Sequence, residues 1–138
     1  MIVNADITIF NKRYDATERT ERFFPTPIKE CSFVRRHGVI SPNIELSLDE
    51  TYAIRIPIDA DFGGATYVDA MTYKGLADAA GYWTIQTGDY VAKGTYSGGP
   101  MSETDIQKSF GEVAVVMNFT DNTDRPSDDM KHWRIGGK

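Results

Sequence analysis

Asp59-Ala60-Asp61-Phe62-Gly63-Gly64 is the most conspicuous polar cluster in the sequence, because two carboxylates two residues apart are followed by glycines. A calcium loop can begin this way, since hard cations take several oxygen ligands. It must also supply further oxygens and end on a bidentate glutamate. Here Phe62 stands in the spacer region and no glutamate follows at the required distance. The two aspartates are therefore read as caps for the backbone amides of a turn. His37 and His132 are the two histidines, and a metal site would need a third ligand such as Asp121 or Asp124. No common spacing joins them. Cys31 stands near Phe33 and Val34 and reads as a small buried hydrophobe rather than a nucleophile. Gly98-Gly99-Pro100 lacks the lysine of a phosphate-binding loop, and neither a nucleophile elbow nor a zincin motif occurs. The expectation is a protein that is not an enzyme, with no catalytic residue, no cofactor and no metal site.

Aromatic residues make up 12% of the chain, enough to line a recognition groove. Trp83 and Trp133, with Tyr67, Tyr73 and Tyr82, would suit a carbohydrate or base-stacking surface if exposed. They would equally fill a small β core. Core packing plus a subunit interface is the preferred reading.

At 138 residues the chain is sized for one domain, and 41% hydrophobic residues exclude wholesale disorder. The formal net charge of −5 argues against a surface that binds nucleic acid by neutralising phosphates. It suits a surface that DNA slides past without sticking. One cysteine excludes an intramolecular disulfide. No apolar run approaches the length of a membrane-spanning helix. The start of the chain lacks the pattern of a signal peptide, so synthesis in the cytoplasm is expected.

The elements that must position these residues are mostly strands. Ile7–Phe10 nearly alternates, and Asn11–Tyr14 extends it. Asp15–Arg22 is polar and reads as a hairpin connection or a mobile arm. Pro25 and Pro27 mark an extended entry to a second long strand, Ile28–Arg36. In that strand Ile28, Glu30, Ser32 and Val34 would share one face. His37-Gly38 ends the run, and Ser41-Pro42-Asn43 signals a turn before a strand at Ile44–Leu48. Tyr52–Ile58 is the cleanest amphipathic strand, and Pro57 places that end at a terminus or an edge. Tyr82–Gln86 and Tyr90–Lys93 form the best hairpin candidate, turning at Gly88-Asp89. Ser102 opens a capping-box-like sequence, so one short helix is expected near residues 102–110. Glu112–Phe119 reads as a buried strand. Thr120–Asp129 is a polar loop, His132–Ile135 a final strand and Gly136–Lys138 a short flexible tail.

This pattern predicts a single mainly β domain over residues 1–138, a small antiparallel barrel or sandwich with one short helix. The long segment Asp59–Gly81 interrupts it. It is rich in glycine yet holds Phe62, Tyr67, Val68, Met71, Tyr73 and Leu76, too apolar for a linker. Asp69 is placed to cap a short helical turn within it. The candidate partner-contact residues are Asp59, Asp61, Phe62, Tyr67 and Tyr73.

Three stretches carry a family resemblance: Tyr52–Gly64, Tyr73–Asp78 and Gly88–Gly94. The ending His132–Lys138 adds to it. Over nearly its whole length the chain resembles a family of proteins from phages and prophages of Firmicutes. Those proteins are similar to the head-closure (stopper-type) and minor capsid components of siphophages. The resemblance implies a strand-rich barrel that forms a ring below the portal, with a long loop able to reach the channel. The implied partners are neighbouring phage structural proteins: a portal or adaptor, or a tail-completion protein. A ring homo-oligomer in the virion that is monomeric in isolation follows, without membrane association or specific nucleic-acid binding. A carbohydrate- or protein-binding β module of a phage tail is the alternative. The Ser102 helix has no clear counterpart in the head-closure pattern.

Overall fold

The computed structural model describes residues 3–35, 52–124 and 131–138. The protein is mainly antiparallel β-sheet with two short helices. Strand β1 (Ala5–Asp15) and strand β2 (Thr20–Arg35) form a long hairpin. β3 (Tyr52–Pro57) follows, then β4 (Thr66–Tyr67), α1 (Ala70–Gly75) and β5 (Tyr82–Trp83). β6 (Tyr90–Lys93), α2 (Glu103–Ser109), β7 (Val113–Asp121) and β8 (His132–Gly137) complete the order. Hydrogen-bonded neighbours run β1-β2-β3-β8-β7-β6, and β6 pairs in turn with β1. The expected strand at Ile44–Leu48, the turn before it and His37 lie outside the described residues.

Period two in β1 is real, but both of its faces are covered. Ile7 and Ile9 join a cluster with Ile28, Cys31, Phe33, Ile54, Ile56, Val91, Val116 and Ile135. Phe10 packs in a second cluster with Phe23, Tyr90, Ala92 and Ile106 of α2. Each isoleucine or phenylalanine removed from water in this way contributes roughly 1.5–3 kcal/mol before ordering costs. This explains why Thr8 is fully buried too: its Oγ1 donates to Gly94 O and accepts from Tyr96 N–H. The buried-hydrophobe reading of Cys31 holds, and burial pushes its thiol up to about 12.

The expected facing of β2 fails after Ile28. The register with β1 shifts between Ala5 and Ile7, which pair with Cys31 and Ile28, so β2 carries one extra residue there. Glu30 absorbs it at φ 65°, and its N–H is held by Asp6 Oδ1 at 3.2 Å. A bulge resets the alternation. Ile28, Cys31 and Phe33 consequently share the core, while Val34 is exposed. Pro25 and Pro27 do not precede the strand; they lie inside it, paired with Phe10 and Thr8.

Three other expectations need correction. Tyr82–Gln86 and Tyr90–Lys93 do not pair as a hairpin: β5 pairs in parallel with β4, and β6 lies between β1 and β7. The turn itself is present, with Gly88 at φ 94°, but Gly88 N–H donates to Val116 O across the sheet. Two helices are present rather than one. Asp69 Oδ1 caps α1 through Thr72 N–H at 2.8 Å, and Ser102 Oγ caps α2 through Asp105 N–H at 3.2 Å. Finally, Gly136 and Gly137 are buried strand residues of β8, and Lys138 exchanges backbone hydrogen bonds with Val115. The expected free tail is instead part of the sheet.

Candidate partner-contact surface

The insertion leaves β3 at Pro57, where proline ends the ladder at the strand terminus. Ala60 N–H turns back to Pro57 O. Asp61 then exchanges two backbone bonds with Lys29, at 2.9 and 3.2 Å, which ties the insertion to β2. Its carboxylate accepts from Gly63 N–H at 2.9 Å, with Gly63 at φ 61°. The aspartate thus serves the turn, as its place before two glycines implies.

Beyond the turn the insertion folds onto the core. Phe62 stacks on Trp83 with centroids 5.5 Å apart. Tyr67 meets Trp83 at 5.0 Å and Trp133 at 4.8 Å, and the two indoles are 5.2 Å apart. Such contacts add to area burial and fix ring orientation. Trp83 is fully buried and Trp133 nearly so. Burial, then Asp121 and Asp69, push the Tyr67 hydroxyl upward.

Tyr73 is buried elsewhere, outside both core clusters, beneath Arg13. The guanidinium lies 5.4 Å from the Tyr73 ring centroid. Arg13 Nη1 donates to Tyr73 O at 2.8 Å, and Nη2 donates to Leu76 O. A cation is thereby set on the carbonyls that end α1, where it complements the helix terminus. Burial pushes the Tyr73 hydroxyl up to about 12.

Around this clasp lies a surface cleft of about 520 Å³. Tyr14–Thr17 at the β1–β2 turn and Ala77–Tyr82 at the end of the insertion both line it. Phe24, Pro25 and Thr26 of β2 also line it, with Gly98 and Pro100 from the segment after β6. Tyr14 is 60% exposed and Tyr82 39%, large values for aromatic side chains.

The five residues singled out from sequence therefore divide. Phe62 and Tyr67 are half-buried and share the aromatic cluster, and Tyr73 is sequestered under Arg13. Asp59 and Asp61 remain at the surface. Of the five, only the two aspartates present their side chains outward. Sequence reasoning named Tyr82 among the aromatics suited to a recognition surface but missed Arg13 and Tyr14, since their meeting depends on the return of the insertion to the β1–β2 hairpin.

It also missed a buried polar cluster. Asn11 Nδ2 donates to Thr84 O at 2.7 Å and to Asp89 Oδ2 at 2.8 Å, and Asn11 Oδ1 accepts from Thr84 N–H at 3.1 Å. Asp89 Oδ1 accepts from Lys12 N–H at 3.0 Å, and Gln86 Nε2 reaches Asp89 Oδ2 at 3.2 Å. Burial pushes the Asp89 carboxyl up to about 6, against the opposing pull of these donors. The available signal was an asparagine in the middle of an apolar strand pattern.

No curated protein and no solved structure matches this chain. A family model matches residues 2–138. The chain belongs to DUF6751, a family of unknown function.

Proposed function

We propose that the protein is a virion structural component of the phage head–tail junction, a head-closure, connector or minor capsid part that works by contact and not by catalysis. In this reading the six paired strands close into a small antiparallel barrel, and copies assemble as a ring against a portal, adaptor or tail-completion protein. The carrying observation is the cleft between Tyr14–Thr17 and Ala77–Tyr82. There the polar β1–β2 connection and the insertion, the segment marked by sequence for partner contact, both contribute lining residues. Ring assembly uses heterologous interfaces, in which one patch meets a different patch of the next subunit. A recess walled by a projecting hairpin, with exposed tyrosines, offers one such patch. The net charge of −5 suits a part that passes DNA without holding it. Family resemblance over the three stretches quoted above supplies the viral context.

The alternative carbohydrate-binding module draws less support, because Trp83 and Trp133 pack against each other in the core. A protein-binding module would use the same cleft.

The test is to look for the protein in purified virions by mass spectrometry, with a photo-crosslinking residue at Ala16. The expected result is incorporation and crosslinks to a portal, adaptor or tail-completion protein. Absence from virions, together with no binding to those proteins, would overturn the reading. A gene position between the major capsid and tail-tube genes is the expected genomic correlate.

A further inference from the structure

Alternate residues of a strand direct their N–H and C=O groups to opposite sides. On the side of β2 away from β1, Phe23 exchanges two bonds with Met101, both 2.9 Å. Lys29 exchanges two with Asp61, at 2.9 and 3.2 Å. Residues 23, 25, 27 and 29 share this outward direction, because the register shift with β1 begins only beyond Ile28. Between the two brackets, among the described residues, no strand pairs with the outer side of β2. The five residues between the brackets, 24–28, span about 17 Å of extended chain, room for a short strand. The positions that direct their backbone outward within that gap are Pro25 and Pro27, and neither has an N–H to donate. Phe24 and Pro25 also line the cleft, so this stretch borders open surface.

We propose that Pro25 and Pro27 guard this edge against strand addition by a second copy of the chain. An incoming strand finds carbonyls but loses both ladder donors, so sheet extension is disfavoured exactly where a gap would admit it. Natural sheets protect open edges by this means among others. Copies of the chain then meet through side-chain surfaces and not by sheet extension. The inference does not depend on the virion role, because its readout is the behaviour of the purified chain alone.

The test is the double variant P25T/P27T, which restores both donors in a residue suited to strands. Sedimentation and light scattering across a concentration series compare it with the unsubstituted protein. Two recovered ladder bonds predict self-association strengthened roughly tenfold or more. The amides of residues 25 and 27 in the variant become protected from hydrogen exchange as concentration rises. A folded variant that associates no more than the parent overturns the proposal. Association without protection at those two amides also overturns it, since that marks aggregation through another surface. If the double variant fails to fold, P25T and P27T singly carry the same comparison, each with one restored donor.

Discussion

Asn11 Nδ2 and Asp89 Oδ2 are 2.8 Å apart, and both side chains are buried. The pair joins β1 to the segment that leads into β6, and the remaining bonds of Asn11 hold the backbone of Thr84. A carboxylate in this position is costly when ionised, because its hydrogen-bond donors only partly replace water.

Stability should therefore depend on pH through Asp89. Its folded carboxyl lies near 6, above the ordinary value of 3.8, with burial the dominant cause. A group raised on folding contributes stability that is fully present below its unfolded pKa. That contribution is lost as pH rises from about 4 through 6. The shift corresponds to up to about 3 kcal/mol. Urea unfolding from pH 4 to 7.5 should show a falling contribution that Asp89→Asn abolishes. The difference between the two proteins carries the signal, since other carboxylates titrate in both. Parallel curves across that window would refute this role of Asp89.

How much of this was legible beforehand follows from which interactions are local. Strand β1, the Ser102 cap and the Asp69 cap depend on neighbours within a few residues, and sequence pattern located all of them. The bulge at Glu30 was not visible, because a single extra residue leaves the composition of the strand unchanged while exchanging its faces. Tyr82-Trp83 looked like a hairpin arm since Gly88-Asp89 is a fitting turn, yet β4, inside the insertion, competes successfully for it. At the candidate surface, type and spacing identified the insertion but not the direction of its rings. Phe62, Tyr67 and Tyr73 are drawn inward by Trp83, Trp133 and Arg13, partners distant in sequence.

Arg13→Lys should loosen the insertion without unfolding the sheet. Lysine keeps the charge but lacks the planar fork that reaches Tyr73 O and Leu76 O together. A loss of about 1–2 kcal/mol is expected. Limited proteolysis should find new cleavage between Leu76 and Tyr82, and exchange at Ile54 and Ile135 should stay slow. Resistance equal to that of the parent would show that the clasp is dispensable.

Trp83 and Trp133 should be poorly quenched by iodide, because both indoles are buried. Trp83→Leu leaves a cavity beside Phe62, Tyr67 and Trp133, at a cost of about 2–4 kcal/mol. Strong quenching of the parent protein would place the rings in solvent and restore the groove reading.

Gly137 offers the sharpest steric test. A Cβ at this position would lie 2.9 Å from Ala114 Cβ and 3.0 Å from Val115 O. Neither neighbour is the free end of a flexible side chain. Ala114 is a fully buried core residue, and Val115 exchanges two backbone bonds with Lys138, at 3.1 and 3.0 Å. Relief of the clash must move β8 away from β7, where the register already shifts between Val116 and Asn118. Gly137→Ala should therefore cost about 1–3 kcal/mol, against a propensity gain of only a few tenths. The expected fall in Tm is roughly 5–10 °C for a chain of this size. Exchange at the amides of Val115 and Lys138 should accelerate first, since those bonds sit beside the clash. Gly99→Ala is the control: a Cβ there meets nothing within 4 Å, so Tm should hardly change. Equal thermal stability of the two variants would mean that β7 and β8 are not packed as closely as Gly137 permits.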